Sequence, residues 1–288
     1  MIMRVINFIF ALSFLGCTHK HDNASFAKGY DLGAVEERLH EASGLTASIA
    51  NPGHLWTVND SGNPAEVFLI DDHARIKLVC TLQNIENRDW EEIAIGNGPV
   101  PGKKYLYVAE IGDNQAIYEY KYFYRFEEPT LKNGAQQIIT NFETLVVKLP
   151  DGKRDTETVL IDPLSNDLYI ISKREENVNV YQERYPYAKD TLRPVKVMTL
   201  PYKKIVAGSI SPDGQEVLIK NYNQIFYWKR SDGQSLIEVL AKKPVELPYD
   251  PEPQGESISW NLDASGFYTL SESPEDKRAQ LKFHKRLK

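Results

Sequence analysis

Two cysteines and three methionines in 288 residues, with no Cys-x-x-Cys pair, remove several readings at once. Cys17 and Cys80 cannot build a disulfide scaffold, so the chain must hold itself together by burial. A surplus of positive charge is also missing. Against 40 Asp and Glu stand 34 Lys and Arg, a formal net charge of -6 with no basic stripe, which disfavours nucleic acid as a general partner. There is no phosphate-binding Gly-rich loop, no Gly-x-Ser-x-Gly elbow and no His-Glu-x-x-His. The six histidines are scattered, and none has ligand spacing.

What is present is aromatic and repetitive. Sixteen Tyr, eleven Phe and four Trp suit β-rich packing. Thr156 to Lys173, TETVLIDPLSNDLYIISK, is restated by Gly255 to Glu272, GESISWNLDASGFYTLSE: a carboxylate, an apolar strand, a turn, and a second strand ending in a polar pair. Weaker copies start at Ser43, Glu91 and Gly208, so the anchors fall at 43, 91, 157, 208 and 256. A period of roughly 40 to 50 residues with several short strands predicts an all-β propeller.

Each repeat supplies strands between turn signals such as Asn51-Pro52-Gly53 and Ser211-Pro212-Asp213-Gly214. In RIKLVCTL, Cys80 alternates with apolar neighbours and reads as a packed thiol. Blade two carries an insertion around Pro129 to Gln137 that explains the 66-residue step; a six-bladed ring would require it to hide further strands. Blade four is expected to use SISP, EVLIKNY, QIFYWKR and LIEVLA. Blade five lacks a fourth strand, which the segment Gly29 to His40 is expected to supply, giving five four-stranded blades over residues 29–288.

Met1 to Gly16 carries one early charge, Arg4, and an apolar run ending at Phe14-Leu15, too short and wrongly flanked for a mature spanning helix. It reads as an export signal. Its Phe-Leu-Gly-Cys ending resembles the lipobox of bacterial lipoproteins, which implies lipidation of Cys17, a polar tether over 17–28, and a membrane-anchored protein of the periplasm or cell surface.

First strands of propeller blades line the central channel, so the repeat brings Ser43, Glu91, Glu157, Gly208 and Glu256 to one axis. Glu92 and Ser209 stand one residue later and replace their neighbours if the register shifts by one. Three ionised carboxylates at about 6 Å repel by roughly 3 kcal/mol per pair at an effective dielectric near 20. A proton, a lysine or a cation must compensate, and hard oxygen donors suit Ca²⁺; the alternative is that these acids stitch the blades together. The ends of the second strands form another set: Asn59-Asp60, Glu110 with Asp113-Asn114, Lys173-Arg174, Lys220-Asn221-Tyr222 and Glu272. Asn59, Lys173, Arg174, Lys220 and Glu272 are candidates for holding an anionic small molecule, and Asp60 or Glu110 for orienting water as general base. The bland alternative is solvated turn residues.

The segments WTVNDSG, NRDWEEIAIG, EIGDN, SKRE, SPDG and GESIS, spread over residues 41 to 272, resemble a class of bacterial exported propeller proteins with an Asn-Asp-Ser-Gly and Asp-Trp-Glu signature. That resemblance implies fold and export but no activity. More distantly, the blade starts are similar to calcium-activated nucleotidases of the soluble apyrase type, with phytase-like and lactonase-type propellers looser still. It implies calcium positions at Ser43, Glu91, Glu157 and Glu256, a catalytic aspartate at Asp60 and a basic pair at Lys173-Arg174. Gly208 departs from an implied serine, and Asn59 from an implied acid. Together these lead to two expectations: cation-dependent hydrolysis of a phosphoester or phosphoanhydride, or a non-catalytic envelope lipoprotein that binds a protein or glycan.

Overall fold

Residues 25–187, 190–275 and 277–287 are described by the computed structural model. The export signal and Cys17 expected from the sequence lie outside them. The described residues open with β1 (Ser25–Phe26) and β2 (Tyr30–Ala34), then a 3-10 turn, before blade one: β3 (Ala42–Ala47), β4 (His54–Asn59), β5 (Glu66–Asp71) and β6 (Ile76–Leu82). Blade two holds β7 (Trp90–Asn97), β8 (Lys104–Glu110) and β9 (Lys121–Glu127), then the inserted β10 (Gln136–Ile139), then β11 (Glu143–Val147). Blade three is β12 (Thr156–Ile161), β13 (Leu168–Ser172), β14 (Val178–Glu183) and β15 (Val195–Leu200). Blade four is β16 (Ile205–Ile210), β17 (Glu216–Asn221), β18 (Ile225–Lys229), the helix α1 (Leu236–Leu240) and β19 (Val245–Leu247). Blade five is β20 (Ser257–Trp260), β21 (Gly266–Leu270) and β22 (Gln280–Leu287), completed by β1 and β2 on the outer side of β22.

Each sheet is antiparallel within its blade, and the first strands β3, β7, β12, β16 and β20 touch in that order around a channel that closes from β20 back to β3. The chain is a five-bladed β-propeller. Five apolar clusters fill the five seams; in one, Trp56 and Leu69 of blade one meet Trp90 and Leu106 of blade two. Inner strands are covered on both faces, so β12 and β13 are buried at every residue, whereas the rim strands β10 and β15 are largely exposed. Cys80 is buried in the seam between blades one and two, as the alternation in its strand predicted.

Two expectations change. LIEVLA is not a strand: Ser235 caps the helix by accepting from the Glu238 amide, and Glu238 returns the bond to the Ser235 amide at 2.7 Å. Leu236, Val239 and Leu240 then face the core at helical spacing, and Val245–Leu247 takes the place of the fourth strand. The insertion hides one strand but no sixth blade. β10 crosses to blade one and pairs with β6 in parallel, from Gln136 beside Val79 to Ile139 beside Leu82. Its approach is keyed by Glu128, whose buried carboxylate accepts from the Ser48 hydroxyl, the Ile49 and Ala50 amides and the Trp56 indole at 2.6–3.0 Å.

Ring closure follows the sequence reading and begins earlier in the chain. Tyr30 pairs with Phe283 as expected, and Ser25 and Phe26 extend the pairing to Leu287 and Arg286.

Candidate functional site: a charged pocket at the channel mouth

Bulges in the first strands set which residues reach the channel mouth. Trp90 pairs with Glu110 and Glu92 with Ala109, which leaves Glu91 as the extra residue; Thr156 and Thr158 leave Glu157 in the same way. In blade four Ile205 pairs with Asn221 and Ala207 with Lys220, so the equivalent residue is Val206. Neither Gly208 nor Ser209 occupies that place, and the Ser209 hydroxyl instead accepts from the Trp260 amide at 3.1 Å. The fourth spoke is therefore apolar. In blade one the extra residue is Gly44, whose φ of 68° and packing, with a Cβ falling 2.6 Å from the Ile93 amide nitrogen, admit no side chain.

A pocket of about 470 Å³ opens at this mouth, and its walls differ in charge. Asp60, Glu91, Glu256 and Glu272 come from blades one, two and five; Lys173, Arg174, Lys203 and Lys204 come from blades three and four, together with Glu176, which pairs with Lys203 at 3.4 Å. Glu157 lies between them: Lys173 Nζ stands 2.6 Å from its Oε1 and 3.6 Å from Glu256 Oε1, while the Tyr222 hydroxyl donates to Glu256. Arg174 donates to Asp155 at 2.6 Å. Glu157 Oε2 has no hydrogen-bond partner among the described residues.

Burial is the main electrostatic force in this pocket. It pushes the Asp60 carboxyl up to about 7, with Asp89, Glu256 and Glu41 adding repulsion against a bond from the Ser61 amide. It pushes Glu272 up to about 8, helped by Glu256 and Asp60. Glu91 and Glu157 are both raised, first by burial; Glu157 and Asp60 raise Glu91 further, whereas Lys173 partly restrains Glu157. Burial also disfavours the Lys173 charge, but Glu157 and Glu256 outweigh it and hold the ammonium firmly protonated.

Of the residues singled out from the sequence, Asp60, Glu91, Glu157, Lys173, Arg174, Glu256 and Glu272 therefore share one pocket. Ser43, Asn59, Glu110, Lys220 and Asp113 do not line it. Ser43 is wholly buried and donates to the Glu91 carbonyl at 2.5 Å, stitching blade one to blade two. Asn59 lines a separate groove and donates to the Arg38 carbonyl at 2.7 Å. Glu110 pairs opposite Trp90 and turns into the seam, where it accepts from Tyr124 at 3.1 Å and meets Arg88 at 3.5 Å. Lys220 is fully buried, donates to the Gly255 carbonyl, and is lowered to about 8 by burial despite Glu252, Glu256 and Glu92. Asp113 is a loop cap, accepting from the Ile117 and Tyr118 amides at 2.7 and 2.9 Å.

Asp89 and Asp155 were missed. One carboxylate oxygen each from Asp60, Asp89 and Glu91 lie within 4.8 Å of one another, as do oxygens of Glu91, Asp155 and Glu157. The signal was available as Asp-x-Glu at 89–91 and again at 155–157, the same place in successive blades. The donors are all hard oxygens, which fits a Ca²⁺-type cation, although Ser43 contributes no free hydroxyl.

No family model matches the chain, and no curated protein matches it. Among solved structures, hydrazine synthase from Kuenenia stuttgartiensis aligns at 10% identity and a TM-score of 0.44, over 83% of this chain and 70% of that one. The Dos1 propeller aligns at 15% identity and a TM-score of 0.41, over 85% of this chain and 59% of that one. Neither likeness bears on the chemistry of the pocket.

Proposed function

We propose that the pocket binds a hard divalent cation, Ca²⁺ foremost, together with an anionic small molecule of the phosphoester or phosphoanhydride class, and that the protein hydrolyses it. The observation that carries this reading is the meeting of Glu91 and Glu157. Their carboxylates approach within 4.8 Å in a buried setting, and Glu157 Oε2 has no partner among the described residues. A proton or a cation must sit between them.

A bound cation would polarise a phosphoryl oxygen and neutralise the acid wall. The chain's own side chains supply the rest. Lys203, Lys204 and Arg174 attract the anion, Asp60 stands on the acid wall beside the cation, and Glu272 faces the same space as an acceptor for the proton of an attacking water. Glu110, turned into the seam, has no part in it. The test is turnover of a nucleotide and phytate panel by the full chain with Ca²⁺ and with chelator. Cation-dependent hydrolysis lost in Asp60→Asn, with the melt unchanged, supports the reading; no turnover on any phosphoester removes hydrolysis.

A second reading, a non-catalytic envelope protein that binds a protein or glycan, draws on the internal pairing of the pocket. Lys173 is held by Glu157 within blade three and by Glu256 of blade five, as a lock between blades would be, and Arg174 is held by Asp155 of its own blade. In both readings Cys17 anchors the protein to a membrane. Fatty-acid labelling lost in Cys17→Ala, with release from the membrane fraction, supports the anchor; unchanged fractionation rejects it.

A further inference from the structure

We infer that the cation is held off the axis by Asp60, Asp89 and Glu91, in a cleft between blades one and two, and not by the axial set Ser43, Glu91, Glu157 and Glu256. This placement rests on the cation reading above and narrows it. The choice follows from which carboxylates already have partners. Asp155 accepts from the Asp113 amide at 2.9 Å and from Arg174 at 2.6 Å, and Glu157 Oε1 is held by Lys173 at 2.6 Å. Glu256 takes the Tyr222 hydroxyl, and the Ser43 hydroxyl is committed to a backbone carbonyl. A cation at the axial set would have to displace an ammonium that lies within 3.6 Å of two of its ligands.

In the off-axis cleft no ammonium stands that close, and Lys121 and Arg88 act on Asp89 only from farther off. Among the described residues, no Lys or Arg pairs with Asp60, Asp89 or Glu91, and the only bond to any of the three carboxylates is from the Ser61 amide to Asp60 Oδ1 at 2.5 Å. Asp89 and Glu91 are 8% and 3% exposed, so their carboxylates meet little solvent. A further sign is Glu157 of the neighbouring blade, 1% exposed, whose Oε2 has no partner among the described residues and one of whose carboxylate oxygens lies within 4.8 Å of one of Glu91. Gly112 keeps the space open. A Cβ there would lie 2.3 Å from Glu91 Oε1 and 2.5 Å from Asp89 Oδ2.

Three carboxylates with Glu157 Oε2 beside them are a set of hard oxygens below the usual coordination of Ca²⁺, about six to eight. The remaining positions face the pocket, where an oxygen of the anionic ligand would complete them. The anion's other oxygens would then reach Lys203 and Lys204 on the opposite wall.

The experiment is calorimetric titration of Ca²⁺ into the metal-free full chain and into Asp89→Asn, Ser43→Ala and Glu256→Gln, each checked by a thermal melt. Asp89→Asn should weaken Ca²⁺ by at least about tenfold, and the other two should stay within about twofold, because only the first removes a charged ligand. If Asp89→Asn does not fold, Asp60→Asn answers the same question. Wild-type affinity in Asp89→Asn, or a loss confined to Ser43→Ala or Glu256→Gln, overturns the placement but leaves the cation reading standing. No Ca²⁺ uptake by the wild-type chain overturns both.

Discussion

Lys173 Nζ lies 2.6 Å from Glu157 Oε1 and 3.6 Å from Glu256 Oε1, so one ammonium ties blade three to blade five across the channel mouth. The pair with Glu157 is almost fully buried, and removing the cationic partner strands a carboxylate that has no other donor. Lys173→Met should therefore destabilise the fold by about 3 kcal/mol at neutral pH. Denaturant melts test it: a lower midpoint at an unchanged slope is expected, and an unshifted midpoint would contradict the pairing.

Cation binding predicts a stability that depends on free Ca²⁺. At a concentration about a hundred times the dissociation constant the gain is about 2.7 kcal/mol, which for a chain of this size raises the melting temperature by about 5–10 °C. Melts in Ca²⁺ and in chelator that superimpose would remove the cation from the account and favour the scaffold reading.

His284 sets an acid limit. Its ring stacks on Phe267 at 4.5 Å, its Nδ1 has no partner among the described residues, and a Cβ on Gly29 would fall 2.6 Å from Nε2. Burial lowers its pKa from 6.5 to about 4, with Lys282 and Lys220 in the same direction and the Ala27 backbone and Asp250 opposing. The folded state thus binds fewer protons than the unfolded one between these values. Stability is full above pH 6.5 and falls as pH drops towards 4, by about 3 kcal/mol in total. Replacing the ring with an uncharged one in His284→Phe should flatten that part of the stability–pH curve; the same slope in the variant would assign it to other groups.

Phe26 plugs the closing seam. It sits on Tyr227, Trp260 and Phe267 at 5.2–5.9 Å between ring centres, with Arg286 4.7 Å over its own ring. Phe26→Ala should cost about 3–5 kcal/mol, far more than a two-residue strand would suggest. Equilibrium unfolding measures this, and a cost below about 1 kcal/mol would show that β2 alone closes the ring.

Much of the pocket was legible because the repeat encodes local strand grammar. Glu157 and Glu256 stand at matching places in two closely similar phrases, and Lys173 and Glu272 end the strands that follow. The fourth spoke was misread because Gly208-Ser209 resembles other blade starts in pattern, while the bulge that brings forward Val206 adds a residue to the strand that pattern does not count. Glu110 was misplaced for a related reason. Strand pleating sends alternate side chains to opposite faces, and Glu110 takes the seam.

The sequence by itself pointed to a propeller of five blades, with six left open, and to closure by the N-terminal segment, because the strand pattern recurs in each repeat and the last repeat lacks a fourth strand. Only the tertiary structure decided that Asp60, Asp89 and Glu91 converge, because they come from two blades and meet across a seam. Which acids already have partners was likewise set by side chains from other blades, Lys173 reaching Glu256 and Tyr222 reaching it from beside. Convergence across seams depends on how sheets pack around an axis, and no single repeat carries that information.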